Sequence, residues 1–248
     1  MEIPILYEDN DLVAINKPAG LIVHFDGRNE EPSIVDWLLE RYPEAAGVGE
    51  DGVSPQGVHI PRSGIVHRLD RTTSGVMIVV KTQEAHTFIK KQFQERTMDK
   101  RYAALVYGHP KADRGVIDME IGRTKKKPRK WSAQPGKSGT LRSAITEWRV
   151  IDRLLDSETG EPVTYLTASP KTGRTHQIRV HLKAIHHPIV CDHIYAPKKV
   201  CIGGLERPAL HARSISFNLL NGERKTIEAP LPEDFERVLK NLRNIAEE

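Results

Sequence analysis

With 248 residues, 38% of them hydrophobic and 28% charged, the chain can fill the core of one large domain or two small ones and still clothe its surface. No apolar run reaches the ~18 residues of a membrane span, the opening Met1-Glu-Ile-Pro-Ile5 has no signal-peptide plan, and Cys191 and Cys201 are too few for a disulfide framework and lack the partners of a structural zinc site. A reduced, cytoplasmic setting is the expectation, and the net charge of +4 points to an anionic partner only where the cations cluster.

Ile5–Tyr7 and Leu12–Ile15 flank Glu8-Asp-Asn-Asp11 and read as a β-hairpin, which Lys17-Pro-Ala-Gly20 terminates. Ser33-Ile-Val-Asp36 is a helix start with a capping acid, leading into Trp37, Leu38 and Leu39. Residues 43–62, rich in glycine and proline, read as a surface excursion. Within it Gly47-Val-Gly-Glu-Asp-Gly52 has the letters of a phosphate loop, but it follows a helix rather than a strand, and Glu50 and Asp51 repel phosphate. Nucleotide binding there is rejected.

Val76-Met-Ile-Val-Val80 is an unbroken apolar run of strand length, entered through the turn residues Thr72-Thr-Ser-Gly75. That puts His67, Arg68 and Asp70 where a loop enters a buried strand, with Leu69 turned inward. An acid between Arg68 and Arg71 either does chemistry or pairs with its neighbours and caps the turn; on these residues alone the second reading is the stronger.

Residues 83–96 form an amphipathic helix with Ala85, Phe88, Ile89 and Phe93 on one face. Lys100–Gly108 is the next strand, followed by strands over 115–121, 140–151 and 163–168. Between them Arg123-Thr-Lys-Lys-Lys-Pro-Arg-Lys-Trp131 concentrates cations ahead of an aromatic, as either a solvated hairpin tip or a phosphate-binding loop. Residues 175–185 form a helix with Ile178, Leu182 and Ile185 buried. Arg174, His176 and Gln177 fall near its amino terminus, where backbone N–H groups favour anions, and Arg179 lies one turn on from His176 and can point the same way. Residues 209–217 and 225–227 return to strand, and 233–245 close the chain as a helix with Phe235, Val238, Leu239, Leu242 and Ile245 inward. Many strands with helices inserted argue for a single α+β domain over 1–248.

Five stretches then carry a resemblance: Leu12-Val-Ala-Ile-Asn-Lys-Pro-Ala-Gly20, Gly64-Ile-Val-His-Arg-Leu-Asp-Arg-Thr-Thr-Ser-Gly75, Lys100-Arg-Tyr-Ala-Ala-Leu-Val-Tyr-Gly108, Thr172-Gly-Arg-Thr-His-Gln-Ile-Arg-Val-His181 and Leu210-His-Ala212. In this order, over roughly residues 5–230, the chain resembles the pseudouridine synthases of the RluA type, which isomerise uridine within structured RNA. The resemblance implies a mixed, largely antiparallel β-sheet core with helices on its outer faces and a basic catalytic cleft. It implies a monomer whose partner is ribosomal or transfer RNA, with no metal and no organic cofactor. Asp70 falls on the catalytic aspartate, Tyr102 on the tyrosine that stacks on the target base, and Arg179 on the arginine that pairs with the aspartate. Arg68 falls on a position that holds the flipped-out nucleotide; His67, Arg71, Arg174, His176 and Gln177 are expected against the RNA, as is the basic run Lys125, Lys126, Lys127, Arg129 and Lys130. One departure stands out. The family has a glycine ahead of the aspartate of a G-D-x-x-Y segment, and here the segment is Cys191-Asp-His-Ile-Tyr195. The chain also starts directly at the first hairpin, so the expectation is a catalytic domain without the small RNA-binding domain many relatives carry.

Other chemistries fit worse. His67-Arg-Leu-Asp70 echoes a kinase catalytic loop, but Leu69 intervenes, position 75 is glycine and no DFG follows. His176, His181, His186, His187 and His193 lack metal-ligand spacing and no HExxH is present. A glycoside hydrolase would need a second carboxylate where these motifs supply arginines. A non-enzymatic RNA binder is the serious rival, and Asp70, Tyr102 and Arg179 argue against it, because a pure binder has no use for a carboxylate facing phosphate.

Overall fold

The computed structural model describes residues 1–25, 31–53, 57–124, 130–134 and 137–244. In chain order it runs β1 (Ile5–Glu8), β2 (Leu12–Lys17), α1 (Ile34–Arg41), the short β3 (Gly52–Val53) and β4 (His59–Ile60), β5 (Ser74–Val80), α2 (Gln83–Glu95) and β6 (Asp99–Tyr107). There follow β7 (Arg114–Asp118), β8 (Ile121–Thr124), β9 (Trp131–Ser132), β10 (Lys137–Arg142), β11 (Ile145–Asp156) and β12 (Pro162–Pro170). The last elements are α3 (Gln177–Ala184), β13 (Leu210–Asn218), β14 (Arg224–Glu228), α4 (Glu233–Asn241) and β15 (Leu242–Asn244). The fold is α+β with mixed, largely antiparallel sheet, and its chain packs as two compact units: residues 1–99 with 212–230, and residues 100–211 with 231–248.

In the first unit β1 and β2 form the expected hairpin, and β2 pairs antiparallel with β5 from Leu12↔Val80 to Lys17↔Gly75. All residues of β5 are buried, which is why its sequence shows no alternation. β13 and β14 pair antiparallel from Ser214↔Glu228 to Asn218↔Arg224. Ser33 caps α1 through the foreseen box: its backbone N–H donates to Asp36 Oδ2 at 2.8 Å, and its hydroxyl accepts from the Asp36 N–H at 3.3 Å. Helix α2 packs with Ala85, His86, Ile89 and Gln92 buried. Phe88 and Phe93 are only half-buried. Gln92 earns its interior place by closing a two-bond ring with the backbone of Asn218, at 2.8 Å each way.

In the second unit β12 pairs antiparallel with β6 on one side (Ala168↔Tyr102 to Val163↔Tyr107) and with β11 on the other. The strand expected over 140–151 is two strands, β10 and β11, broken where Ala144 is fully buried. The strand expected over 115–121 also divides, with the Met119 N–H donating to the Ala144 carbonyl at 3.1 Å. β8, β9 and β10 form a small separate sheet. The closing helix is shorter than the periodicity predicts. It ends at Asn241, and Leu242–Asn244 run as a strand against β11 (Leu154↔Asn244, Asp156↔Leu242). β7 covers only the first part of that edge of β11, Ile145 to Arg149, so pairing Leu154–Asp156 at its far end satisfies backbone groups that another helical turn would leave open. Ile245 lies outside the described residues.

The cysteines also depart from expectation. Cys191 and Cys201 are not reduced thiols but a disulfide, with Cα atoms 4.7 Å apart. Tyr107 explains why they meet: its hydroxyl accepts from the Cys191 N–H at 3.2 Å and donates to the Val200 carbonyl at 2.6 Å, which draws the two segments together.

Candidate active-site residues and the groups that hold them

The loop of Asp70 is fixed from several directions within the first unit. Leu69 is buried, as its place in the motif predicts, and the Thr73 N–H donates to the Asp70 carbonyl at 3.0 Å, closing a turn. Asp70 itself is half-buried and Arg68 is exposed. The next carbonyl, that of Arg71, accepts from the Gly20 N–H at 2.8 Å and from Lys17 Nζ at 3.2 Å. Lys17 is fully buried, and its ammonium also donates to the Pro18 and Leu21 carbonyls, each at 2.8 Å. Three N–H donors thus match three carbonyl oxygens, the condition under which a buried lysine is tolerated. Lys17 was missed as a supporting residue on sequence; the signal was its place in Lys17-Pro-Ala-Gly20, read as a strand terminator and as the end of a family motif but given no role of its own.

Two glycines bracket this loop for steric reasons. Gly64 has φ +69°, and a Cβ there would overlap Leu38 and sit 2.5 Å from the Val80 carbonyl oxygen. Gly75 has φ +113°, and its Cβ would strike the backbone of Ala212, with the nitrogen 2.7 Å away. His67 is anchored as well: its Nε2 accepts from the Ile78 N–H at 2.9 Å, and its ring stacks on Phe93 with centroids 4.7 Å apart. Arg71 donates through Nε to the Gly20 carbonyl at 3.0 Å and pairs with Glu31 at 2.8 Å. Both residues were expected against RNA, and both help hold the loop.

In the second unit Tyr102 sits near the start of β6, half-buried against the core that Leu105 and Leu166 help form. Arg179 lies on α3, 4% exposed, and is gripped by the fully buried Asp192: Nε to Oδ2 at 2.7 Å and Nη2 to Oδ1 at 2.9 Å. Asp192 Oδ1 also accepts from the N–H groups of Ile194 and Tyr195, each at 3.0 Å. Forked donation of this kind fixes the guanidinium plane as well as its charge. The Arg179 guanidinium carbon stands 5.2 Å from the centroid of the Tyr195 ring, whose hydroxyl meets His176 Nδ1 at 3.0 Å. Asp192 and Tyr195 were given no role on sequence, although Cys191-Asp-His-Ile-Tyr195 was recognised as a segment of the family pattern.

The start of α3 differs from the reading of residues 175–185. The helix begins at Gln177, and His176 precedes it in the left-handed region at φ +54°. Gln177 is buried and its amide is saturated. Nε2 donates to the Ile145 carbonyl at 2.9 Å and Thr146 Oγ1 at 3.0 Å, while Oε1 accepts from Thr172 at 2.6 Å and the Arg174 N–H at 3.0 Å. It holds the turn ahead of the helix, a role beside the RNA contact expected of it. Arg174, half-buried, donates through Nε to the Ser143 carbonyl at 3.1 Å. Of the basic run, Lys125, Lys126, Lys127 and Arg129 lie outside the described residues. Lys130 is described, with Nζ on the Ile194 carbonyl at 2.7 Å and 5.4 Å from the Tyr195 ring centroid. Trp131 packs against the small core of Ile121, Ala133 and Tyr195, so it anchors the end of the run.

Comparison with known proteins shows the family of the chain. Residues 11–184 match the model of the RNA pseudouridylate synthase family. An uncharacterised RNA pseudouridine synthase of Synechocystis is 38% identical over 240 residues, 96% of this chain and 68% of that protein. Ribosomal large subunit pseudouridine synthase D of Neisseria meningitidis serogroup B is 36% identical over 253 residues, 98% of this chain and 62% of its own. Among solved structures, human RNA pseudouridylate synthase domain containing 4 superposes with a TM-score of 0.71 at 27% identity, covering 97% of this chain and 94% of that one. The matched length takes in the Asp70 loop, Tyr102 and Arg179 together, and the chain belongs to the RNA pseudouridylate synthase family, in its RluA-type branch, as an isomerase of uridine in RNA.

Proposed function

We propose that the chain converts a uridine of ribosomal RNA to pseudouridine with Asp70 as the catalytic carboxylate. The observation that carries this reading is the fixation of the Asp70 loop. Leu69, Arg71 and Thr73 are each tied down by burial or backbone hydrogen bonds, while Asp70 between them is half-buried rather than sealed in the core. Pseudouridine formation breaks the N1–C1′ bond, turns the uracil and joins C5 to C1′, with loss of the C5 hydrogen. An ionised carboxylate serves as nucleophile or base in that sequence. Tyr102 is proposed to stack on the displaced base, worth about 1–3 kcal/mol against the few kcal/mol that unstacking costs. Arg179, held by Asp192, supplies a fixed positive charge.

The named relatives of the large ribosomal subunit favour ribosomal over transfer RNA as substrate. Lys125, Lys126, Lys127, Arg129 and Lys130 are proposed to grip phosphate, with Arg68, Arg71, Arg174 and His176 near the nucleotide. The enzyme is proposed to act in the cytoplasm, as a monomer, over 1–248 as one catalytic domain and without metal or organic cofactor. Family residues 11–184 take in parts of both compact units, which supports the single-domain reading.

Asp70→Asn tests the assignment. The variant should fold, melt within about 2 °C of the parent and bind RNA, because phosphate contacts dominate affinity. It should release essentially no tritium from RNA labelled at uridine C5. Near-normal release by the folded variant would remove Asp70 from the reaction. Pseudouridine mapping in cells with and without the gene tests the substrate: a change confined to transfer RNA would overturn the ribosomal assignment.

A further inference from the structure

The residue that replaces the expected glycine ahead of Asp192 brings chemistry that the uridine reaction does not use. Cys191 is 2% exposed, adopts φ +60° and is bonded to Cys201, ten residues along. A side chain with a Cβ resists that left-handed backbone, and a covalent partner keeps it from relaxing. The very next residue is the buried carboxylate that grips Arg179 and takes the Ile194 and Tyr195 N–H groups. The reduced state is also provided for, because Cys191 Sγ lies 2.9 Å from the Leu205 carbonyl oxygen, an acceptor for its S–H. We propose that Cys191 and Cys201 are a reversible thiol–disulfide pair whose state sets how firmly Asp192 holds Arg179.

The two sulfurs have unequal roles. Cys201 is partly exposed beside an exposed stretch over 197–200, whereas Cys191 is buried. Cys201 therefore meets the oxidant, a low-molecular-weight disulfide such as glutathione disulfide. Its thiolate, having lost a proton to solvent, attacks one sulfur of that disulfide, and a thiolate leaves. Cys191, deprotonated in turn, attacks the Cys201 sulfur of the mixed disulfide and expels the second thiolate. The pair loses two protons and two electrons, and the oxidant leaves as two thiols; a dithiol runs the sequence backward.

The experiment uses the full chain equilibrated with glutathione disulfide or with dithiothreitol. The oxidised form should melt about 5 °C or more higher. On reduction the Ile194 and Tyr195 amides should exchange hydrogen roughly tenfold faster, because the carboxylate they donate to is less firmly placed. Cys191→Ser should capture one glutathione at Cys201, visible by mass, while Cys201→Ser should capture none in the same time. The effect on turnover rests on the proposed uridine chemistry: reduced protein and Cys201→Ser should share a kcat about threefold to tenfold lower with KM unchanged, and the variant should ignore dithiothreitol. Equal melting and equal amide exchange in both states would overturn the proposal. So would glutathione capture by Cys201→Ser. Zinc held by the reduced chain through Cys191, Cys201 and His193, whose ligand atoms lie within 4.8 Å of one another, would overturn it too if it blocks reoxidation. Absence of turnover in both states would sink the uridine reading alone, since exchange and capture decide the redox pair without it.

Discussion

Replacing Asp192 should weaken the protein more than almost any single surface change. Its carboxylate is fully buried, makes two hydrogen bonds to a 4%-exposed guanidinium and accepts two backbone N–H groups. Asp192→Asn preserves the shape and an acceptor for the amides, but it leaves Arg179 charged, buried and facing an amide. Breaking one side of such a pair costs about 3–5 kcal/mol. At roughly 2–4 °C per kcal/mol for a chain of this size, the melting temperature should fall by about 6–20 °C. Asp192→Ala should be worse, because the Ile194 and Tyr195 N–H groups also lose their acceptor at about 1–3 kcal/mol each where water does not replace it. Removing both charges while keeping an acceptor for those amides, as Arg179→Met with Asp192→Asn, should recover much of the loss in stability while leaving turnover absent. Thermal unfolding followed by circular dichroism, with tritium release on RNA, separates these outcomes. An Asp192→Asn protein melting within about 2 °C of the parent would refute the view that this pair holds α3 to the 192–195 turn.

Three further outcomes follow from other parts of the molecule. Gly75→Ala should lower the melting temperature by at least several degrees, since any Cβ at φ +113° meets the Ala212 backbone; an unchanged melting curve would mean that β5 can shift freely. His181 is fully buried between Thr146 Oγ1 and the Met119 carbonyl, and burial lowers its pKa; His86 is lowered by burial in the same direction. The unfolded chain therefore takes up protons first as pH falls below about 6.5, so stability is complete above that value and declines beneath it. Urea midpoints should drop from about pH 7.5 to about pH 5, and His181→Gln should flatten the slope; a midpoint that rises on acidification would contradict the burial argument. Neutralising Lys125, Lys126, Lys127, Arg129 and Lys130 together should flatten the salt dependence of RNA binding, by about 0.7–0.9 in log–log slope for each phosphate that the chain no longer neutralises. An unchanged slope would show that these cations do not meet phosphate.

Periodicity and capping carried most of the fold, because each is a local property. The unbroken apolar run of β5, the Ser33–Asp36 box and the hairpin of β1 and β2 all depend on residues adjacent in sequence. What escaped was set by partners far along the chain. Gln92 is buried because Asn218 offers both a carbonyl and an N–H. Leu242–Asn244 continue a helical pattern in sequence, yet become a strand because an edge of β11 lies open to them. Cys191 and Cys201 gave no pairing signal at ten residues' separation; Tyr107, over eighty residues earlier, helps draw their segments together.

The motif letters themselves divide by role once their contacts are known. Lys17, Gly75, Gln177 and Asp192 are each committed to other protein groups: carbonyls around the Asp70 loop, the Ala212 backbone, the turn before α3 and the Arg179 guanidinium. Asp70 and Tyr102 are half-buried, and both are proposed to meet the uridine. A sequence match scores both kinds alike, since either is intolerant of change. Measurement does not. A group that holds another should lose stability and turnover together when replaced, whereas a group that meets the uridine should lose turnover at constant stability. Lys17→Met is the sharpest case of the first kind, because an apolar chain of similar length fills the space yet takes the ammonium donor from the Pro18 and Leu21 carbonyls and one of two N–H donors from the Arg71 carbonyl. Its melting temperature and kcat should fall together, and a protein of parental stability with no turnover would move Lys17 from the supports to the reacting groups.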